Sequence, residues 1–225
     1  MYTMLNIFYI IPLITFWNSV SSEISSHIDN KTITNDIVSA IHCLTYIIHY
    51  NYYYNMDYMI HASFAYFIHD LIHIFSCLPH VYSVKPRSEY LTNCVYIGHH
   101  LLGLYLLDYV YTSPDKYLLL SAYHMLELSN ITLYISLVVS ETTYASNFTI
   151  MAITELVHLL WYSYIRVFIG TLFVYHNFDY FLQLSRFNQF SMFMLYALGI
   201  CYTYLLVKRN IENVYTFRTK NIKTS

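Results

Sequence analysis

Apolar residues occur in seven long blocks along this chain, and short polar segments separate the blocks. The blocks cover residues 2–20, 37–54, 56–78, 90–111, 117–140, 148–175 and 187–207. Each is close to the roughly 20 residues that an α-helix needs to cross the hydrocarbon of a bilayer. A helix satisfies its own backbone hydrogen bonds, which lipid cannot do for it. The pattern therefore predicts an all-α, polytopic membrane helix bundle of about seven spans.

The segments between the blocks contain residues that end helices. Pro79 is expected to end the third span, and residues 112–115 read Thr-Ser-Pro-Asp, which predicts a turn. The sixth block is the longest, and Gly170 is the point at which we expect it to bend or break. The first block ends in Ser-Val-Ser at residues 19–21, as a signal peptide can, but no positive charge precedes it. Both a retained span and a signal peptide stay open for this block.

The composition is that of a protein embedded in lipid. Hydrophobic residues make up 57% of the 225 residues and charged residues 11%, whereas soluble domains carry about 25% charged residues. A formal net charge of −2 provides no basic surface for nucleic acid. The four cysteines form no Cys-x-x-Cys pair, so neither a zinc ribbon nor a disulfide framework is predicted. We therefore expect membrane lipids as partners, with no nucleic acid and no metal.

Lysine and arginine residues are distributed unequally between the two sides of the predicted bundle. If successive spans alternate in direction, Lys116 and Arg186 lie on one side and Arg166 lies within a span. The other side carries Lys31, Lys85, Arg87, Lys208, Arg209, Arg218, Lys220 and Lys223. Basic residues concentrate on the cytoplasmic side of membrane proteins. The pattern predicts a cytosolic C-terminus and an integral protein of the endoplasmic reticulum or another endomembrane.

Five of the predicted spans carry polar or ionisable residues at a similar depth. These residues are Ser39, His42, His61, His69, Asp70, His73, His99, His100, Asp108, His124, Glu127, Ser129, Asn130, Glu155, His158, Tyr162 and Arg166. An ionisable group at the bilayer centre costs about 2.5–3.5 kcal/mol and needs a partner or a wet cavity. We therefore expect these groups to line one internal cavity, with a carboxylate beside Arg166. The alternative is that they only join helices to one another.

Short motifs follow one another on five successive spans. They are residues 39–42 (Ser-Ala-Ile-His), 67–71 (Phe-Ile-His-Asp-Leu), 98–100 (Gly-His-His), 126–130 (Leu-Glu-Leu-Ser-Asn) and 161–166 (Trp-Tyr-Ser-Tyr-Ile-Arg). In this order they resemble the motifs of the TLC domain, the family of ceramide synthases, TRAM-like proteins and small TLC-domain-containing proteins. The resemblance implies a six-helix unit over residues 33–210. An N-terminal span and polar linker (residues 1–32) would precede it, and a basic cytosolic tail (residues 211–225) would follow.

For ceramide synthases the resemblance implies transfer of an acyl group from acyl-CoA to the amine of a sphingoid base. Such a reaction needs a base for the attacking nitrogen and a donor for the carbonyl oxygen. The resemblance implies catalytic roles for His99, His100 and Glu127, and substrate-binding roles for His42, Asp70, Asn130 and Arg166. Glu127 would orient the basic histidine. No cofactor is implied, and acyl-CoA would be a co-substrate.

The chain departs from the ceramide-synthase pattern after the paired histidines. Residues 101–104 read Leu-Leu-Gly-Leu where those enzymes continue with polar residues, and their second aspartate has no counterpart near residues 124–128. This favours the small TLC-domain proteins, for which the resemblance implies roles in lipid binding and membrane lipid composition. We therefore expect a protein that handles long-chain acyl or sphingoid-like lipids. An active acyl-CoA N-acyltransferase is the alternative.

A third class of function is a di-iron membrane hydroxylase or desaturase. Residues 69–73 form a His-x-x-x-His pattern, and imidazole nitrogens are suitable ligands for iron. Those enzymes use several His-x-x-His-His boxes, but Tyr96 stands three positions before His99. The sequence therefore favours this class less than the two lipid-handling classes.

Overall fold

The chain is all-helical in a computed structural model. The backbone is described for residues 7–53, 55–84 and 87–223, and the side chains for residues 7–53, 55–76, 97–144 and 146–212. Within these ranges no residue is in a β-strand. Most of the basic tail, residues 211–225, lies outside the described side chains. The prediction of an all-α fold is confirmed for the described part of the chain.

A helix lies on each of the seven predicted blocks. The helices are α1 (Ile7–His27), α2 (Lys31–Ile48), α3 (Met56–Val84), α4 (Arg87–Thr112), α5 (Lys116–Ser140), α6 (Phe148–Ser163), α7 (Gly170–His176), α8 (Phe178–Gln183) and α9 (Arg186–Lys223). A π-helical segment, His49–Tyr53, continues α2, and another, Tyr164–Ile169, joins α6 to α7. A short 3₁₀ turn, Thr143–Ser146, precedes α6.

Asparagine side chains begin two of these helices. The first N–H groups of a helix lack a backbone acceptor, and an asparagine at the N-cap supplies one. Asn30 accepts hydrogen bonds from the amides of Thr32 and Ile33 at the start of α2. Asn147 does the same for Thr149 and Ile150 at the start of α6. Both asparagines therefore have a structural role at the ends of their helices.

The structure confirms two of the predicted interruptions and corrects a third. A turn separates α4 from α5 at residues 113–115, as predicted. Gly170 follows the Tyr164–Ile169 π segment, so the sixth block is interrupted where it was expected to be. The prediction that Pro79 ends the third helix is wrong, because α3 continues to Val84. Proline removes one backbone hydrogen bond, but membrane helices tolerate that loss.

In the part of the chain that the structure describes, three helical stretches are long and apolar enough to cross a membrane: Ile7–His27, Phe148–His176 and Arg186–Glu212. They correspond to the first, sixth and seventh predicted spans. This finding supports a membrane-embedded protein. A protein with all seven spans stays a prediction, as do the boundaries at residues 32 and 210.

The chain divides into two compact units, Met1–Ser121 and Ala122–Ser225. In the first unit, Lys116 Nζ lies 3.4 Å from Asp57 Oδ1, and the Tyr46 hydroxyl donates to the carbonyl of Leu120 at 3.2 Å. These contacts bring the end of α2, the start of α3 and the start of α5 together. Helices that alternate in direction require this arrangement. In the second unit, α6 and the π segment pack against α9.

Candidate functional site

A short polar contact in the first unit joins His100 to Asp70. His100 Nε2 lies 2.6 Å from Asp70 Oδ2, and both side chains are buried. Asn35 on α2 also interacts with Asp70. A hydrogen bond from Nε2–H to the carboxylate leaves the basic lone pair of a neutral His100 on Nδ1. Asp70 can therefore orient this imidazole and stabilise its protonated form.

A close approach of α3 and α4 positions this pair. Phe67 precedes Asp70 by one turn, and Gly103 follows His100 by one turn. A Cβ atom on Gly103 would lie 2.4 Å from Cε2 of Phe67, so the ring occupies the space that glycine leaves open. The Phe67 ring also makes an edge contact with His100, with centroids 5.1 Å apart. Small residues at helix interfaces in membranes permit such approaches.

His42 lies in a buried cluster that joins α1, α2 and α3. Its Nε2 is hydrogen-bonded to Ser63 Oγ at 3.0 Å, and its ring stacks on Tyr66 with centroids 4.0 Å apart. The Tyr66 hydroxyl donates to Ser39 Oγ at 2.6 Å. Trp17 of α1 contacts both rings and donates its Nε1–H to the carbonyl of Ala62 at 3.2 Å. The predicted substrate-binding residue His42 is thus tightly packed among neighbours.

The other histidines of this unit differ in their surroundings. His69 is buried, and its Nδ1 lies 2.9 Å from Oδ1 of Asn18 on α1. His99 is half-buried, and its ring centroid lies 5.6 Å from that of His100. Of the two adjacent histidines, His100 is the one paired with Asp70, and His99 is the more exposed.

Arg166 lies on the π segment of the second unit, and its described partners are neutral. Its Nε–H donates to Ser129 Oγ at 2.6 Å. Nη2 makes longer contacts, at 3.4 Å to Asn130 Oδ1 and 3.5 Å to the carbonyl of Leu126. The guanidinium also lies 5.4 Å from the centre of the Tyr162 ring. The predicted pair of Arg166 and Asn130 is brought together here.

The expected carboxylate partner of Arg166 is absent from the described residues. The spacing of the sequence places Glu155 on the helical face of Arg166, but in the structure Glu155 is bound by Arg209 of α9. Nε of Arg209 donates to Oε1 of Glu155 at 2.9 Å, and Nη2 also contacts that oxygen. Glu155 is buried. From the sequence, Arg209 was expected only to determine topology, because nothing in a local pattern links positions 54 residues apart.

An apolar cavity of about 80 Å³ opens beside Arg166. Residues of α5, the π segment, α7, α8 and α9 line it, and Arg166 is the charged one among them. A neighbouring cavity of about 180 Å³ shares Val174, Phe181, Met192 and Tyr196 with the first. We call these two cavities together the Arg166 groove. An apolar groove with one cationic group is suited to an amphipathic ligand.

The predicted site residues are divided between the two units. His42, Asp70, His99 and His100 lie in the first unit, and Glu127, Asn130 and Arg166 lie in the second. Glu127 is buried on α5 near His124. The TLC resemblance implies that Glu127 orients a histidine, whereas the carboxylate described beside His100 is Asp70. The role of Glu127, and a single cavity shared by both groups, stay predictions.

No protein-family model, curated protein or solved structure matches this chain.

Proposed function

We propose that this chain is a multi-pass membrane protein of the TLC type that binds and handles membrane lipids. The observation that supports this proposal most directly is the place of Arg166. This cationic side chain lines an apolar groove, and it belongs to the helical stretch Phe148–His176, which is long enough to cross a membrane. Placing an arginine within a membrane costs free energy, so an intramembrane arginine indicates a functional site. A lipid, with one polar end and a long apolar chain, has the chemistry that matches this groove.

The TLC resemblance and the seven spans belong to the same proposal. They are supported by the helices on all seven apolar blocks and by the burial of histidine, aspartate or glutamate residues from four of the five motifs. The ligand is a long-chain acyl or sphingoid-like lipid, and the compartment is the endoplasmic reticulum or another endomembrane.

Lipid retention tests this function. Wild-type protein purified in mild detergent is expected to retain lipid, detected by native mass spectrometry and by mass spectrometry of the extract. Arg166→Gln is expected to retain less of it, because the charge at the groove is gone. Arg186→Gln is the matched control, since it removes an exposed arginine of the same unit outside the groove. Wild-type protein free of co-purified lipid would contradict the proposal.

The buried pair of His100 and Asp70 favours a second candidate, an acyl-CoA N-acyltransferase. A histidine oriented by a carboxylate is the usual form of a general base. In this candidate the His100 imidazole takes the proton of the attacking amine through Nδ1, while Asp70 stabilises the resulting imidazolium. The nitrogen bonds to the acyl carbon as the carbon–sulfur bond of the thioester breaks, and the imidazolium returns its proton to the sulfur, so that CoA leaves as the thiol.

The distribution of basic residues predicts the orientation of the protein. A tag at the C-terminus is expected to be accessible to antibody after selective permeabilisation of the plasma membrane. The glycosylation sites at Asn30, Asn130 and Asn147 are expected to stay unmodified, because residues 141–147 face the cytosol and Asn130 lies inside a helix. A glycosidase-sensitive shift in mass at Asn147 would contradict this orientation. A shift at Asn30 would contradict it as well, and would favour a cleaved or inverted first span.

A further inference from the structure

The guanidinium of Arg166 has unused hydrogen-bonding capacity. It carries five N–H donors. The short bond to Ser129 uses the donor on Nε, and the contacts of Nη2 are 3.4 Å and 3.5 Å long. Among the described residues, Nη1 donates no hydrogen bond, and no carboxylate lies within ion-pair distance of Arg166. The end of the guanidinium is therefore available to an anion that presents two oxygens.

The helices around Arg166 hold its stem in place. Gly199 of α9 is buried, and a Cβ atom there would lie 3.7 Å from the Cβ and Cδ atoms of Arg166. Tyr162 lies under the guanidinium, and Ser129 fixes Nε. A preorganised arginine loses little freedom when it binds an anion, which favours binding.

The remaining wall of the Arg166 groove is apolar except for Gln189 and the Tyr196 hydroxyl. The Tyr196 hydroxyl already bonds Thr171 Oγ1 at 2.6 Å. Val174, Phe181 and Met192 line both cavities, so one apolar path leads away from Arg166. An alkyl chain attached to the anion can follow this path.

We infer that the Arg166 groove binds a long-chain fatty acid, whose carboxylate pairs with the guanidinium and whose alkyl chain lies along Val174, Phe181 and Met192. This inference rests on the proposed lipid-handling function and names the class of lipid. A carboxylate carries one negative charge, which matches the single cation of the groove, and its two oxygens match the fork of arginine. A phosphate monoester carries about −1.5 to −2 charges near pH 7. Burying it here would leave negative charge uncompensated.

Binding of four hexadecyl compounds to the purified full-length protein tests the inference. Hexadecanoic acid, hexadecan-1-ol, hexadecylamine and hexadecyl phosphate compete with tritiated hexadecanoic acid in detergent micelles. The acid is expected to compete best, because the other three lack a singly charged, two-oxygen head group. Equal competition by the alcohol would overturn the inference, since it would show that the head group is not recognised.

Variants at both ends of the groove separate the head group from the chain. Arg166→Gln is expected to weaken binding of the acid at least about 30-fold, as truncation of a buried charge pair does. Arg166→Lys keeps the charge but not the fork, so we expect an intermediate loss of about tenfold. Arg186→Gln is the control. Unchanged affinity in Arg166→Gln would overturn the inference.

Met192→Trp fills the groove and leaves Arg166 untouched, so it keeps the test valid even if Arg166→Gln fails to fold. It is expected to weaken binding of the acid, whereas Leu205→Trp, an exposed position on the same helix outside the groove, is expected to have no effect. Equal affinity of Met192→Trp and wild type would overturn the inference. If wild-type protein retains lipid but does not prefer the acid, this inference fails and the proposed function stands. If it retains no lipid of any kind, both fail.

Discussion

Replacing His100 with alanine is expected to abolish amide formation if the protein transfers acyl groups, because the variant loses its general base. Removal of such a group lowers turnover by about 10²–10⁴-fold. Asp70→Asn is expected to lower turnover less, because the amide keeps the shape of the carboxylate but not its charge. Glu127→Gln is expected to have a smaller effect still. The measurement is product formation by purified protein with a series of acyl-CoA lengths and amine acceptors.

Loss of activity must be separated from loss of folding. His100→Ala leaves the Asp70 carboxylate buried without this partner, and breaking a buried charge pair in this way destabilises a protein by about 3–5 kcal/mol. The double variant His100→Ala with Asp70→Asn removes the charge as well. It is expected to recover stability but not turnover. His176→Ala, at an exposed histidine of α7, is the control. Wild-type activity no higher than that of a variant lacking both His99 and His100 would leave lipid binding as the function.

Replacing Trp17 with alanine is expected to give the largest loss of stability. Trp17 is 1% exposed, contacts the rings of His42 and Tyr66, and donates to the carbonyl of Ala62. Truncation of a buried aromatic residue to alanine costs about 3–5 kcal/mol, mainly through the cavity that it leaves. For a chain of this size the loss corresponds to a fall of roughly 6–20 °C in the midpoint of thermal unfolding. Unfolding in detergent, followed by circular dichroism, measures the shift.

Two variants sharpen this test. Phe16→Ala truncates the neighbouring aromatic residue, whose side chain is 49% exposed, and is expected to change the midpoint little. Trp17→Phe keeps most of the ring but removes the indole N–H, so its effect isolates the hydrogen bond to Ala62, worth about 1 kcal/mol. Equal midpoints for Trp17→Ala and Phe16→Ala would show that α1 does not stabilise the folded protein. The intact mass of the purified protein shows directly whether residues 7–27 are retained.

The positions of the helices follow from the sequence because they depend on local properties. The apolar blocks and the turn residues at 112–115 indicate where α1 to α5 and α9 lie, but α1 and α9 continue past their blocks, to His27 and Lys223. The helix past Pro79 was not predictable in this way, because the loss of one hydrogen bond is balanced by the rest of a long helix. Of the π segment, the sequence predicted only that the sixth block would bend or break near Gly170. Its geometry depends on how Arg166 and its neighbours pack, which no local pattern records.

The pairing of site residues was only partly predictable. Depth along the spans indicated that Asp70, His100 and Arg166 are internal, but not which groups meet. His100 pairs with Asp70 because Phe67 fits against Gly103, a contact between residues far apart in the chain. Arg166 was expected beside a carboxylate on grounds of charge. Its described partners are Ser129 and Asn130, and the carboxylate of Glu155 is paired with Arg209 instead.

The π segment Tyr164–Ile169 also sets the angular position of everything that follows it in the sixth block. A π turn contains about one residue more than an α turn, and each residue of an α-helix turns the chain by about 100°. If the same residues took regular α geometry instead, with none deleted, α7 would rotate by about that angle relative to Arg166. Phe173 and Val174 would then leave the groove while Arg166 kept its place. The π turn therefore decides whether the Arg166 charge and the apolar residues of α7 face the same groove.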